Sequence, residues 1–548
     1  MKRLFPDLAF SAAVFAGLLL LLLLKAPTLE HYFHDPDQGQ QIGLGREVFF
    51  GKIPGVNGVA YFGPMVAFTS ALGFWLSGSL LGETLICAGG YAAALWIIFF
   101  VTSRYTTRLA GLAATAFAYV LLARFYKWYL WFFPLALILL FHCYLHAPPD
   151  RRRRWVWLAG TLLGVEWLYR HDFGTTGVMA SLALLAIFEG RGSWGSLRRF
   201  FANAACLIAA FSLPLLIWFG YLAHVGGLAA CHDYLATTYS GSVSNLKAGT
   251  LGNVHGPIFP MPHFNRRMPL SPDSVLALSL MMVSLTSVIG MAIGLGAEIR
   301  GRCNARTRIL LVVALFGLST IHQAWYCCDG HHLLQVTPAA VIGAALLMCF
   351  FLDGPWFAGR PHAWNRVVRF VGLAYFATLF TCVLGMMPAG RNDQAELSLW
   401  PRARYAALAH PLTSRSEDPA AAAIAKIREL ADCRQSMLVF PFNCQFYALA
   451  DRRMSGIIYA YFPGIFQASP WSDRNFQAIQ RDKPAVVVVR SDFFDPLPAQ
   501  KDLEQLSREA HPDVDQWIRK NYTKIVFNEG RIMLLVPSQQ PPTVSPHP

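Results

Sequence analysis

The sequence predicts an α-helical polytopic membrane protein that ends in a soluble α/β domain. Long apolar runs recur from the N-terminus to about residue 386. The 548 residues are 55% hydrophobic and only 14% charged, whereas a soluble protein carries about 25% charged residues. Beyond Pro388 the composition becomes that of a soluble domain. We therefore divide the chain into a transmembrane module, 1–389, and a C-terminal domain, 390–548.

The net charge of +14 does not indicate nucleic-acid binding. Arginines occur in short clusters between apolar segments, as at Arg151–Arg154 and Arg198–Arg199. This is the positive-inside pattern, which orients membrane helices, whereas a surface that follows phosphates would be a continuous basic stripe. The clusters predict a cell inner-membrane protein with a cytoplasmic N-terminus and an extracytoplasmic C-terminal domain.

The apolar segments predict about eleven transmembrane helices. The first, Leu8–Leu24, is expected to remain uncleaved because no small-residue cleavage site follows it. Two long external loops, 25–63 and 223–273, interrupt the series. The other spans are expected near 84–102, 109–123, 129–146, 155–169, 175–187, 200–222, 274–295, 309–324, 333–352 and 367–386.

One further apolar segment, 64–81, is predicted not to span the membrane. Four apolar segments lie between the external Gly63 and the cytoplasmic Arg151, but a change of side requires an odd number of crossings. Segment 64–81 is the least convincing span because it contains glycines and several Ser and Thr residues. A surface or re-entrant element of this kind must lie against protein or line a water-filled cavity.

The C-terminal domain has the alternation of an α/β fold. Met437–Pro441 and Ala485–Arg490 are short apolar, β-branched runs typical of buried strands, and Arg531–Pro537 is expected to form the last strand. Ala420–Leu430 and Val514–Tyr522 have the spacing of helices. The domain is therefore predicted to be a sheet with helices packed on it.

Cysteine spacing does not indicate a metal site. The eleven cysteines include no CxxC pair, and most lie in apolar runs, where cysteine is an ordinary small core residue. Cys433 and Cys444 could form a disulfide if their domain lies outside the cytoplasm.

The first external loop concentrates ionisable residues, which at a membrane boundary suggest a functional site. Asp35-Pro36-Asp37 places two carboxylates two residues apart. The pair could bind a divalent cation, or one carboxylate could act as a general base. Alternatively, the carboxylates cap a helix that begins near Gln40, since Asp is a good N-cap. Arg46 could face an anion or simply the lipid headgroups.

Motifs along this loop resemble those of the GT-C superfamily, the polytopic glycosyltransferases that use polyprenyl-phosphate sugars. Two later elements are also similar: a G-x-x-x-G helix that ends in an Arg/Asp pair, and a D-x-x-H-L element. The matching residues are Asp37-Gln38-Gly39, Arg46-Glu47, Gly51 with Pro54, Tyr61 with Gly63-Pro64, Gly160 with Gly164, Arg170 with Asp172, and Asp329 with His332 and Leu333.

The resemblance implies transfer of a sugar, with inversion, from a polyprenyl-phosphate donor to a hydroxyl of a lipid, glycan or protein. The first-loop aspartate, Asp37 here, would take the acceptor proton. Many members carry Asp-Glu-Gly where this chain has Asp37-Gln38-Gly39, so a second carboxylate is in place only if Asp35 substitutes for it. No cofactor is implied with certainty, and a divalent cation is the open alternative.

The leaving phosphate needs cations to stabilise its growing charge, and Arg46, Lys52 and Arg170 are the candidates. Each could instead be a snorkelling interface residue. Asp172, Asp329 and His332 are expected at external helix ends, where they could line a cleft that faces the first loop and the tail. A metal at the adjacent His331 and His332 is the weaker reading, because neighbouring side chains diverge on a helix. A hydrogen-bonded interfacial pair is favoured.

Two other classes of function stay open. A transporter or flippase would need ionisable residues within its spans and discontinuous helices, and Glu166 is the clearest carboxylate inside a predicted span. A non-catalytic scaffold of the same architecture is the third reading, because a fold does not prove an activity.

Overall fold

The computed structural model describes most of the chain. The described residues are 8–25, 32–33, 35–58, 63–122, 124–190, 194–248, 272–326, 330–353, 362–385, 408–409, 418–463, 471–496 and 502–538. The predicted site residue Asp329 and the domain boundary near residue 389 lie outside them.

Helices dominate the described residues up to Gly385. A short 3₁₀ helix covers Phe125–Lys127. The α-helices are α1 (Leu8–Leu24), α2 (Pro36–Phe49), α3 (Pro64–Ser77), α4 (Leu80–Tyr105), α5 (Arg108–Val120), α6 (Tyr129–His146), α7 (Pro149–Tyr169), α8 (His171–Glu189), α9 (Trp194–Ala248), α10 (Pro272–Ile299), α11 (Ala305–Tyr326), α12 (Gly330–Asp353) and α13 (His362–Gly385).

The prediction of a helical membrane protein is confirmed. Among the described residues, seven helical segments are long and apolar enough to cross a bilayer: they belong to α4, α6 and α8 to α12. The apolar parts of α1, α5 and α13 are shorter, and α7 begins with the Arg151–Arg154 cluster. Each of the eleven predicted spans falls on one of these helices. The number of helices that cross the membrane, and the side on which each loop lies, stay predictions.

The first half of the predicted external loop 223–273 is helical, and its position outside the membrane stays a prediction. Helix α9 continues to Ala248 with a break at Gly227, whose φ is +72° and ψ 179°. Only a residue without a Cβ adopts such a backbone readily. The helix beyond Gly227 carries polar residues such as His232 and Asp233, so a hydropathy pattern does not reveal it.

Helix α3 is short for a transmembrane helix. Its 14 residues extend about 21 Å at 1.5 Å per residue, against a hydrocarbon core of about 30 Å. It ends at Gly78, which adopts a left-handed conformation with φ +65°, and α4 begins two residues later. Helix α5, which coincides with a predicted span, is shorter still at 13 residues, so the prediction that segment 64–81 does not span stays a prediction.

The chain divides into two compact units, which differ from a simple cut at residue 389. One unit combines Met1–Ala26, Cys87–Trp218 and His255–Leu397. The other combines Pro27–Ile86 and Phe219–Val254 with the tail, Ser398–Pro548. The first loop therefore folds with the C-terminal domain, a long-range association that composition along the chain cannot reveal.

The tail contains the predicted mixed α/β sheet, in the strand order β2-β1-β3-β5-β4. Strand β1 is parallel to β2 and β3, whereas β5 is antiparallel to β3 and β4. The elements are α14 (Pro419–Leu430), β1 (Ser436–Val439), α15 (Gln445–Ala450), β2 (Arg453–Met454), α16 (Trp471–Asp482), β3 (Val486–Arg490), α17 (Leu503–Ala510), α18 (Pro512–Asn521), β4 (Lys524–Glu529) and β5 (Ile532–Val536).

Both faces of the sheet are covered, because successive residues, which point to opposite faces, are buried along β1, β3 and β5. Met437 of β1 shares a core with Ile427 of α14 and with Ile42 of α2. The neighbouring Leu438 belongs to a second core with Ile479 of α16 and Ile518 of α18. The first-loop helix α2 is thus part of the hydrophobic core on one face of the sheet.

The two tail cysteines do not pair, contrary to the disulfide that the sequence allowed. Cys433 is exposed, whereas Cys444 is buried, and both are free thiols. The Cys444 Sγ lies 2.7 Å from the carbonyl oxygen of Tyr459. Burial raises the pKa of the Cys444 thiol, so this cysteine is an unreactive core residue.

Glycines allow α2 to approach α15 closely, and alanine at Gly43 should destabilise this contact. A Cβ at Gly43 would lie 2.5 Å from the carbonyl oxygen of Cys444, so the backbones would have to separate. Overpacking of this kind costs about 1–3 kcal/mol. We expect Gly43→Ala to lower the heat-unfolding midpoint of the purified protein. Gly89→Ala is the control and should leave the midpoint unchanged, because nothing lies within 4 Å of the new Cβ. Equal unfolding midpoints for the two variants would contradict the prediction.

Burial of His511 should make the tail sensitive to acid. The side chain is 4% exposed, and burial lowers its pKa to about 4, against about 6.5 in an unfolded chain. The stabilisation that comes from keeping His511 neutral is therefore fully present above pH 6.5 and is lost as the pH falls towards 4. At pH 5 this lowers the free energy of unfolding by about 2 kcal/mol. We expect His511→Gln to reduce the fall in the heat-unfolding midpoint between pH 7.5 and pH 5; an unchanged fall would contradict this assignment.

Candidate active site

Asp35 caps the helix that the first loop forms. Its Oδ1 accepts hydrogen bonds from the backbone N–H groups of Asp37, at 2.9 Å, and Gln38, at 3.0 Å. Pro36 follows at the first helical position, where an N–H would have no partner inside the helix. The capping alternative is therefore confirmed for Asp35, with α2 beginning at Pro36 instead of near Gln40. Because Asp35 is only 8% exposed, a catalytic role for it is not supported.

Asp37 lies in the first turn of α2 and is the candidate base. Its side chain is half-buried, and its Oδ1 accepts a hydrogen bond of 3.4 Å from Gln40 Nε2. The N–H groups at the start of a helix produce a positive potential that stabilises a carboxylate. A carboxylate that is held in place yet not fully enclosed is what a general base requires.

The Asp-Gln-Gly element supplies one carboxylate and a packing surface. Gln38 is fully buried, and within the described ranges neither atom of its amide has a hydrogen-bond partner. An amide cannot replace the acidic residue that related motifs carry. A Cβ at Gly39 would lie 2.5 Å from Gln445 Oε1, so this glycine allows α2 to contact α15.

Glu47 and Lys52 bind the free edge of the tail sheet. Glu47 Oε1 accepts a 2.8 Å hydrogen bond from the N–H of Met454 in the edge strand β2. Lys52 Nζ lies 2.9 Å from Glu47 Oε2 and donates to the carbonyl oxygens of Met454 and Gly456, both at 3.0 Å. An edge strand otherwise exposes these backbone groups. The ion pair therefore closes the sheet edge and fastens the C-terminal end of α2 to it.

Arg46 makes a second link between the first loop and the tail. Its guanidinium forms an ion pair with Asp451, with Nε 2.9 Å from the carboxylate oxygen. The same group lies over the rings of Phe49 and Phe50, at 4.8 and 4.7 Å from their centres. The Arg46 side chain is only 14% exposed. Its guanidinium is engaged by Asp451 and the two phenyl rings.

Arg170 and Asp172, in the other compact unit, form a network with α11 that we call the Arg170 cluster. Arg170 binds Asp172 through two hydrogen bonds, of 3.0 and 2.7 Å, and Gln323 through one of 2.6 Å. His322 Nε2 lies 3.2 Å from Asp172 Oδ2, and its Nδ1 lies 2.9 Å from the carbonyl oxygen of Ser319. The network therefore holds the Arg170 guanidinium and the Asp172 carboxylate in fixed positions between α8 and α11.

The structure places His332 in the first turn of α12, half-buried. Its predicted neighbour Asp329 is outside the described part of the chain. Within that part, no three His, Cys, Asp or Glu side chains are arranged to hold a metal ion.

The sequence analysis did not identify Asp451 as the partner of Arg46, or His322 and Gln323 as partners of Asp172 and Arg170. Asp451 adopts a left-handed conformation, with φ +57°, directly after α15. Asp tolerates this conformation, but nothing local to it indicates Arg46, which is 405 residues away. His322 and Gln323 lie near the end of an apolar helix, and a polar pair at that position was the signal that could have indicated them.

Comparison with known proteins gives a likeness in fold. No protein-family model and no curated protein sequence matches the chain. The archaeal oligosaccharyltransferase AglB from Archaeoglobus fulgidus, solved with an inhibitory peptide and a dolichol-phosphate, has a TM-score of 0.51 at 10% identity, over 97% of this chain and 74% of AglB.

The second similar structure is ArnT from Cupriavidus metallidurans. Its apo state has a TM-score of 0.51 at 12% identity, over 96% of this chain and 97% of ArnT. Its complex with undecaprenyl phosphate also has a TM-score of 0.51, at 13% identity. Both AglB and ArnT are GT-C glycosyltransferases of membranes. Over nearly its whole length, this chain has the GT-C fold.

Proposed function

We propose that the protein is a membrane glycosyltransferase that moves a hexose or pentose from a polyprenyl-phosphate donor to an acceptor hydroxyl at the extracytoplasmic face. The GT-C fold supports this class, and two proteins of the fold were solved with polyprenyl phosphates. Because a fold hosts more than one function, the proposal depends on a site residue. The observation that carries it is the half-buried Asp37 at the start of a helix fixed to the tail.

In the proposed reaction, Asp37 takes the proton of the acceptor hydroxyl as the oxygen attacks C1 of the sugar. The bond between C1 and the phosphate oxygen breaks, and the lipid phosphate leaves with the electron pair. Attack on the face opposite the leaving group inverts the configuration at C1. Asp35 contributes indirectly, because its cap fixes the turn that carries Asp37.

The departing phosphate requires positive charge nearby. The described contacts of Arg46 and Lys52 fasten α2 to the tail, which favours a positioning role for these two residues over a phosphate contact. Arg170 makes no described contact with the tail and therefore stays the candidate for the phosphate among the three predicted cations. Asp172, which binds the Arg170 guanidinium in two places, would then orient it.

The direct test reconstitutes the full-length protein in liposomes with a set of radiolabelled polyprenyl-phosphate sugars. Mass spectrometry of the lipid-linked and surface glycans of a deletion strain selects the donors and acceptors to include. We expect loss of labelled sugar from the lipid and its appearance on an acceptor hydroxyl. Movement of the intact labelled lipid between leaflets without loss of sugar would replace this proposal with a flippase.

A further inference from the structure

One glutamine of the tail contacts the chain on both sides of the candidate base. Gln445, the first residue of α15, is 1% exposed, and its Nε2 donates a 2.7 Å hydrogen bond to the carbonyl oxygen of Phe33. A Cβ on Gly39 would lie 2.5 Å from its Oε1 and 2.9 Å from its backbone nitrogen. Gln445 therefore holds a carbonyl that precedes Asp37 and packs against a glycine that follows it.

The amide of Gln445 is costly in this place, which indicates that it has a specific role. Within the described ranges its Oε1 has no hydrogen-bond partner, and a buried polar atom without a partner lowers stability. If packing were the only requirement, a methionine of similar volume would suit this core better. What the amide adds is the donor to Phe33, which links the first loop to the tail.

The Asp37 carboxylate lies close to the start of α15. Burial is the main cause of the raised pKa of the Cys444 thiol, and the negative charge of Asp37 adds to it. A Cβ on Gly43 would lie 2.5 Å from the Cys444 carbonyl oxygen, so α2 rests on α15 over two turns. The Asp35 cap fixes the turn that carries Asp37 internally, whereas Gln445 fixes it relative to the tail.

We propose that Gln445 is a positioning residue for Asp37, because its hydrogen bond to Phe33 and its packing on Gly39 fix the place of the carboxylate. This role deepens the proposed function and rests on Asp37 as the general base. A base acts only within hydrogen-bond reach of the proton that it takes, and a displacement of about 1 Å can lower a rate about 10²-fold. The tail thereby acts on the transfer through Asp37.

The kinetic test uses Gln445→Met, which keeps the volume of the side chain and removes the donor to Phe33. In liposomes with a labelled polyprenyl-phosphate sugar, we expect kcat to fall about 10- to 10²-fold. KM for the donor should stay within about twofold of the wild-type value, because the loss concerns the transition state and not donor binding.

Tyr522→Phe is the matched control variant. It also removes a buried donor to a backbone carbonyl, here that of Pro484, but in the second core of the tail. This variant should keep the wild-type kcat. Normal kcat in Gln445→Met, or an equal fall in Tyr522→Phe, overturns the assignment.

A double variant separates positioning from a general loss of structure. Gln445 can affect the rate through Asp37 only while Asp37 can take a proton. Adding Gln445→Met to Asp37→Asn should therefore change the remaining rate by no more than about twofold. Two independent structural losses would multiply instead, and that result overturns the positioning role.

Hydrogen exchange measures the position of the turn without sugar transfer. In the full-length protein in nanodiscs, amides 36–43 of Gln445→Met should exchange about two- to tenfold faster than in the wild type, the effect of losing one hydrogen bond. Tyr522→Phe should leave these amides unchanged. If Gln445→Met does not fold, Gln445→Asn, which is one methylene too short to reach Phe33, serves in every test. Unchanged exchange at residues 36–43 overturns the inference.

The two proposals fail separately. Asp37-dependent transfer with normal kcat in Gln445→Met rejects the positioning role alone. Faster exchange in Gln445→Met, in a protein that transfers no sugar, rejects the proposed activity alone.

Discussion

Replacing Asp37 with asparagine is expected to reduce sugar transfer by about 10² to 10⁴-fold, the range that a positioned general base contributes. Asparagine keeps the size and polarity of the side chain but cannot take a proton. The measurement is the initial rate of sugar release from the polyprenyl-phosphate donor in liposomes. Membrane abundance should stay normal, because Asp37 is half-buried and lies in the first turn of α2.

Asp35→Asn is the matched control, since it removes the same charge two residues earlier. Asparagine and aspartate are equally good N-caps, so this variant should keep α2 and transfer sugar at a rate within about twofold of the wild type. Near-normal transfer by Asp37→Asn would remove Asp37 as the base. Equal losses in both variants would attribute the effect to the start of the helix instead of to proton transfer.

Replacing Lys52 with methionine is expected to destabilise the tail unit by about 3–5 kcal/mol, the cost of leaving a buried charge without its partner. Glu47 is 1% exposed, and Lys52 is the cation within reach of its Oε2. The change also removes the donor to two carbonyl oxygens near the sheet edge. Heat unfolding of the purified protein and the rate of native-state proteolysis of the tail measure the effect.

A double variant, Glu47→Gln with Lys52→Met, should recover most of the lost stability. Glutamine can still accept the hydrogen bond from the Met454 N–H but carries no charge, so no ion is left unpaired. Because the two side chains are in contact, the effects of the single variants should not add. If Lys52→Met were as stable as the wild type, the ion pair would not fasten α2, and Lys52 would be available for the predicted phosphate contact.

The local sequence was sufficient for most secondary structure. Apolar runs locate the transmembrane helices, because a helix in lipid must satisfy its backbone internally and present apolar side chains. The β-branched runs at Met437–Pro441 and Ala485–Arg490 became strands β1 and β3, as predicted. The two-residue strand β2 and the polar end of α9 were missed, because neither has a hydrophobic period of its own.

What the sequence by itself determined is thus the class of fold and the location of a charged loop after the first helix. The structure decided which of the possible roles each charge has: Asp35 caps a helix, Glu47 and Lys52 bind a sheet edge, and Asp37 remains half-buried in the first turn of α2. The reason is physical, since a side chain's role follows from its partners and burial. The partners of Arg46, Glu47 and Lys52 in the tail lie 405, 407 and 402 residues away, beyond the range of any local pattern.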